Sequence, residues 1–100
     1  MRTKEISPQS SPREIADHMN RAFNTSDVAA IGHAIGDVVR LHNISEIAKI
    51  AGVERPSVYR AFGGRQSPNL STVLVVLKAM GFKLQVTELE EKGPTAQRTS

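Results

Sequence analysis

The stretch between residues 43 and 62 leaves this 100-residue chain the fewest ways to fold. Asn43 followed three residues later by Glu46 is a helix start: the carboxamide accepts a free amide of the first turn while the glutamate reaches back, as in a capping box. Ile47, Ala48, Ile50 and Ala51 follow at helical spacing, Gly52 stops the helix, and Val53 can pack back on the core. A second short helix is expected from about Arg55 to Phe62, with Pro56 tolerated in its first turn and Val58, Tyr59 and Phe62 available for burial. Two helices joined this way cross closely. Small Ala48 suits the crossing, Gly52 supplies the permissive dihedral of the turn, and Val53 and Val58 lock the angle.

The remaining chain supplies what such a pair packs against. Residues 1–11 are polar, basic and serine-rich and contain Pro8, so they read as a flexible arm. Ser11, Pro12 and Glu14 open a first helix in which Ile15, Met19, Ala22 and Phe23 share a face and which ends near Asn24. Asp27 restarts the chain, and Val28, Ile31, Ala34, Ile35, Val38 and Val39 keep a period near 3.6 as far as Arg40 or Leu41. Gly32 and Gly36, four apart, mark one face of that helix for close approach. After a turn-rich loop over residues 63–69, Leu70, Val73, Leu74, Leu77 and Met80 define a fifth helix ending at Gly81. Phe82, Leu84 and Val86 then alternate with Lys83, Gln85 and Thr87, the period of a half-buried strand. The chain offers that strand no strong second strand, so pairing with its copy in a homodimer is expected. Residues beyond Glu90 lack periodicity.

Composition narrows the function. Zero cysteines remove disulfides, thiolate nucleophiles and thiolate zinc sites together. With four aromatic residues, Phe23, Tyr59, Phe62 and Phe82, a row of stacking rings for single-stranded nucleic acid is disfavoured. The apolar stretch at residues 70–80 is broken by Ser71, Thr72 and Lys78, so no membrane span is expected, and the cytoplasm is the expected compartment. The formal charge of +3 permits a polyanionic partner, and its placement says more. Lys49, Arg55, Arg60 and Arg65 face only Glu46 and Glu54 between residues 44 and 65, and Lys78 and Lys83 follow with no acid before Glu88.

A close helix pair with a basic second member is the pattern of a helix-turn-helix that reads duplex DNA, and a pair serving only to pack would place similar residues. The second helix would offer Arg55, Ser57 and Arg60 to base edges, since arginine donates two hydrogen bonds to guanine and serine donates or accepts. Arg65 and Gln66 in the following loop suit phosphate, as do Lys49 and the Tyr59 hydroxyl, the tyrosine being equally suited to the core with a wet edge. Enzyme chemistry is not expected. The three histidines, His18, His33 and His42, are widely spaced in different elements, and there is no phosphate loop, nucleophile elbow or justified triad. No metal and no cofactor are called for.

The run from Leu41 to Leu84 resembles the Cro/CI-type helix-turn-helix superfamily and, more narrowly, the "probable addiction module antidote protein" family of small antitoxins. The resemblance rests on Ser45-Glu46-Ile47-Ala48 leading to Ala51-Gly52-Val53, then Val58-Tyr59-Arg60-Ala61-Phe62, then Ser67-Pro68-Asn69-Leu70, Thr72-Val73-Leu74 and Leu77-Lys78-Ala79-Met80-Gly81-Phe82. Close matching covers under half of the chain. Ile44 stands where such proteins commonly carry a phosphate-touching Gln, and Glu54 stands where Ser or Thr usually precedes the recognition helix.

The expected fold is a mainly α, five-helix domain over residues 12–90, lambda-repressor-like by that resemblance, with a helix-turn-helix and a short C-terminal β-strand paired in a dimer, an arm at 1–11 and a disordered tail at 91–100. The resemblance also implies an antitoxin that binds double-stranded DNA, represses its own operon and neutralises a RelE/HigB-like RNA-cleaving toxin. Such toxins are commonly basic, so the acidic patch at Glu88, Glu90 and Glu91, the N-terminal arm and the first helix are all candidate contacts. The competing reading is a protein-interaction module that keeps the fold with little or no DNA affinity.

Overall fold

The computed structural model describes residues 6–63 and 67–89. They form five helices: α1 Pro12–Phe23, α2 Val28–Val39, α3 Ile44–Ala51, α4 Arg55–Ala61 and α5 Leu70–Ala79. Ahead of α1, residues 7–10 make a turn in which the Ser10 amide reaches the Ser7 carbonyl at 2.9 Å, and Ile6 packs against the core.

The helix starts are written in side chains. The Glu14 amide donates to Ser11 Oγ at 3.1 Å and the Ser11 amide donates to Glu14 Oε1 at 2.9 Å, a complete capping box with Pro12 in the first turn. Asp27 accepts from the Ala29 amide at 3.0 Å to open α2, and Asn69 accepts from the Thr72 amide at 2.9 Å to open α5. At α3 the expected box is half made. Asn43 Oδ1 serves both the Ser45 and Glu46 amides, at 3.0 and 3.2 Å, while Glu46 stays exposed and does not reach back. Of the five helices only α4 starts on a residue, Glu54, whose side chain makes no cap bond.

The central helix is α2, with Ile35 and Val38 wholly buried. Met19 of α1, Ile47 and Ala48 of α3, Val58 of α4, Phe62 at its end, and Val73, Val76 and Leu77 of α5 close the same core. α1 packs along α2, and α3 packs on both α4 and α5. The expected close approach at the α2 glycines is found at Gly36, where an added Cβ would lie 2.7 Å from the Phe62 carbonyl oxygen. At Gly32 the nearest atom would be Pro68 Cδ at 3.8 Å, an ordinary contact.

Two expectations are corrected. The buried stripe of α5 is Val73, Val76 and Leu77, whereas Leu70 and Leu74 are 64% and 45% exposed. The apolar residues nearly encircle this helix, so its true face is set by the neighbours it packs on, α3 foremost. Second, residues 82–89 form no strand. Gly81 turns the chain with φ 92° and the Phe82 amide closes α5 on the Leu77 carbonyl at 2.8 Å. Beyond it no second strand is present among the described residues, so no ladder can form.

Candidate nucleic-acid interface

Residues 52–54 join α3 to α4. Gly52 takes φ 77°, a left-handed conformation open to glycine at little cost, and its amide caps the Lys49 carbonyl at 3.2 Å. The Val53 amide reaches back to the Ala48 carbonyl at 3.0 Å, and the Val53 side chain packs on the core. The reversal is therefore held by two backbone bonds and one apolar contact.

On α4, Val58 and Phe62 lie four apart and are 1% and 3% exposed. Helical geometry then turns Tyr59 and Arg60 outward, while Arg55 shares the side of Val58 but opens the helix at its first position, and all three are exposed. Tyr59, at 57% exposure, is not the core residue that the sequence also allowed. More than half of its surface is free to meet a partner. Ser57 is half-buried.

The arginines are oriented by hydroxyls. Arg55 Nη1 donates to Ser45 Oγ at 3.0 Å, which ties the first turn of α4 to the first turn of α3. Arg60 Nη2 donates to Ser57 Oγ at 3.5 Å. A neutral hydroxyl fixes a guanidinium without cancelling its charge. Among the described residues the basic side chains within 4 Å of a carboxylate are His18, 3.0 Å from Asp37, and Arg40, 2.9 Å from the same Asp37, so Arg55, Arg60 and Lys49 face no carboxylate at that range. Lys49 is exposed in the last turn of α3. Arg65 and Gln66 lie outside the described residues.

Two residues of this surface escaped the sequence reading. Ser45 lies ten positions before the arginine it holds, a separation no helical period flags. Arg40, the C-cap of α2, shares a shallow cleft of about 60 Å³ with Tyr59, Val58 and Phe62. The cleft is far smaller than the several hundred Å³ of an ordinary small-molecule site. The histidines have structural partners or face solvent: His18 holds Asp37, His42 Nδ1 lies 3.0 Å from the Val38 carbonyl, and His33 is exposed. Among the described residues no three His, Asp or Glu side chains gather as a metal site, and no helix is long and apolar enough to cross a membrane.

Fold and surface define a small, mainly helical protein that displays, on a short helix, arginines with no carboxylate partner among the described residues. The chain belongs to the family described as "Probable addiction module antidote protein", whose model matches residues 5–88. It is also similar to a Haemophilus influenzae protein described as "Uncharacterized protein", with 35% identity over 78 residues, 78% of this chain and 80% of that one. No solved structure matches it. Family membership gives the chain an antidote role in a toxin–antitoxin pair, and hence a toxin as partner in general terms.

Proposed function

We propose that this antidote binds duplex DNA in a sequence-specific manner through α3 and α4, used as a Cro/CI-type helix-turn-helix with α4 entering the major groove. The observation that carries the reading is the two-sidedness of α4. Val58 and Phe62 fasten it to the core while Arg55 and Arg60 stand exposed, each bonded to a hydroxyl and neither neutralised by a carboxylate among the described residues. Arginines so held can offer paired donors to a guanine edge, with Ser57 and Tyr59 beside them and Lys49, Arg65 and Gln66 as phosphate contacts. Two copies would present two such helices to half-sites one helical turn apart. The toxin is of the RelE/HigB-like RNA-cleaving kind, and the antitoxin, alone or with its toxin, represses its own operon in the cytoplasm. The chain has no catalytic role of its own.

The test is a band-shift titration against duplex from the chain's own upstream region over a range of salt. Affinity falls as salt rises because condensed counterions are released from the phosphates. Arg55→Ala and Arg60→Ala reduce discrimination between cognate and noncognate duplex, whereas Arg65→Ala weakens both alike. Unchanged affinity and unchanged selectivity in all three folded variants reject the assignment.

A second reading is favoured by the apolar side chains left outside, Ile50 at 62% and Leu70 at 64% exposure among them. In it the fold serves protein contact with little DNA affinity, and the same titration separates the two. For the toxin, the product of the neighbouring gene should cleave RNA and be arrested by stoichiometric antidote. Cleavage that continues at excess antidote excludes that partner.

A further inference from the structure

A third helix brings a cation to the edge of the candidate interface. Arg40, the C-cap of α2, lines the same shallow cleft as Tyr59 of α4 and Ile44, the first residue of α3. Its guanidinium lies back over the last turn of α2, with Nη1 3.5 Å from where a Cβ on Gly36 would stand, beside the contact of α2 with Phe62. Arg55, by its bond to Ser45, and Tyr59 and Arg40, by the cleft they share with Ile44, therefore all border the first turn of α3. Charge separates Arg40 from the others. Its Nη2 donates to Asp37 Oδ1 at 2.9 Å, while Asp37 Oδ2 lies 3.0 Å from His18 Nε2 on α1. The carboxylate thus keeps a partner whether or not Arg40 stays with it. The Arg40 side chain is 60% exposed, so its pair with Asp37 is of the surface kind that holds weakly.

We propose that Arg40 is a phosphate contact held in reserve, and that Asp37, by neutralising it, limits how many duplex phosphates the interface engages. The inference rests on the duplex-binding reading and adds to it one residue and one restraint. A phosphate approaching beside Tyr59 meets a positive and a negative charge side by side, and the net attraction is small. With the carboxylate gone, the same phosphate meets an unopposed guanidinium. A phosphate contact carries no sequence information, so an unmasked Arg40 strengthens binding to every duplex alike. The restraint keeps sequence-independent binding low and leaves affinity to the arginines of α4.

The test is a titration of the full-length chain with cognate and scrambled duplex over a range of salt. Asp37→Asn keeps the size of the side chain and a hydrogen-bonding group for His18 while removing the charge. It tightens both duplexes about threefold or more and steepens the log–log salt slope by about 0.9, the mark of one further phosphate. Asp37→Ala, a second route to the same removal, gives the same slope. Arg40→Ala leaves wild-type binding within about twofold, and combining it with Asp37→Asn restores the wild-type slope. Asp17→Asn, at an exposed position on α1, makes the same change of net charge and leaves the slope alone. The proposal is overturned by a wild-type slope in both Asp37 variants, by a slope still steepened without Arg40, or by Asp17→Asn steepening it equally. Severalfold weaker binding of Arg40→Ala overturns it too, since the arginine is then already engaged. Any of these with duplex binding intact removes this inference alone, whereas a wild-type chain that binds no duplex at low salt removes the DNA reading and this inference with it.

Discussion

Placing alanine at Gly36 and, separately, at Gly32 should move stability in opposite directions, although the substitution is the same and both sites lie inside α2. Replacing an interior helical glycine by alanine favours the helix by about 1 kcal/mol through backbone entropy. At Gly32 the new methyl meets only Pro68 Cδ at 3.8 Å, so that gain is kept. At Gly36 it would lie 2.7 Å from the Phe62 carbonyl oxygen and 3.4 Å from Phe62 Cβ. The first of these is a backbone atom at the end of α4 and cannot rotate aside, so α2 and α4 must part. Overpacking of this kind costs roughly 1–3 kcal/mol, which outweighs the propensity gain and leaves Gly36→Ala about 1 kcal/mol less stable than wild type. The two variants then differ by about 2 kcal/mol, and unfolded-state effects nearly cancel because both exchange glycine for alanine. For a domain of this size each 1 kcal/mol moves the midpoint by about 4–8 °C in calorimetry or far-ultraviolet dichroism. A Gly36→Ala chain that melts at or above Gly32→Ala would refute the claim that Gly36 sets the distance between the central helix and α4. Because α4 carries the exposed arginines, Gly36→Ala should also lower duplex affinity at temperatures where it remains folded.

Glu54→Ser gives α4 the side-chain cap it lacks, adding about 0.5 kcal/mol after the lost helix-dipole attraction is subtracted, and tightens duplex binding by removing a carboxylate next to Arg55. A lower melting midpoint with weaker binding would count against both halves of that argument. Ser26 holds φ 58° between α1 and α2 without being glycine, so Ser26→Gly should raise the urea midpoint by the equivalent of about 0.5 kcal/mol, and a fall would show the turn unstrained. Ser45→Ala should leave stability within about 0.5 kcal/mol, since the hydroxyl is exposed, yet blunt sequence discrimination by releasing Arg55. Selectivity equal to wild type would make the Ser45 bond incidental.

The helices were legible because their punctuation is local. Ser11 with Glu14, Asp27, Gly52 and Gly81 act within one turn of the chain, so the residue types alone locate the boundaries of α1, α2, α3 and α5. Burial was legible only where apolar residues occupy one side. In α2 the expected stripe coincides with buried Ala34, Ile35, Val38 and Val39, although Ile31 is only half-buried and Val28 at the first position is exposed. In α5 apolar residues at 70, 73, 74, 75, 76, 77, 79 and 80 fit more than one stripe, and the packing of neighbouring helices chose the one through Val76. The strand at 82–87 failed for a different reason. Alternation reports which side of a segment is apolar, and here it placed Phe82 and Leu84 on the core, but it carries no information on whether a second strand exists to hydrogen-bond.

The same division runs through the candidate interface and explains what kind of surface it is. That Arg60 points outward follows from Val58 and Phe62 pointing inward, a consequence of the 3.6-residue turn that any reading of the sequence can reach, whereas Arg55, three residues before Val58, shares its side of the helix and is exposed as the first residue of α4. Where each guanidinium is aimed depends instead on Ser45, in another helix, and on Ser57, and only folding reveals the first of these. A carboxylate in either place would hold an arginine as firmly but neutralise it, and Asp37 does this to Arg40 on the neighbouring helix. Hydroxyls give orientation without neutralisation. The cations of α4 thus remain available to a polyanion, while the arginine held by a carboxylate among the described residues, Arg40, stands at the end of α2, a helix whose task is packing.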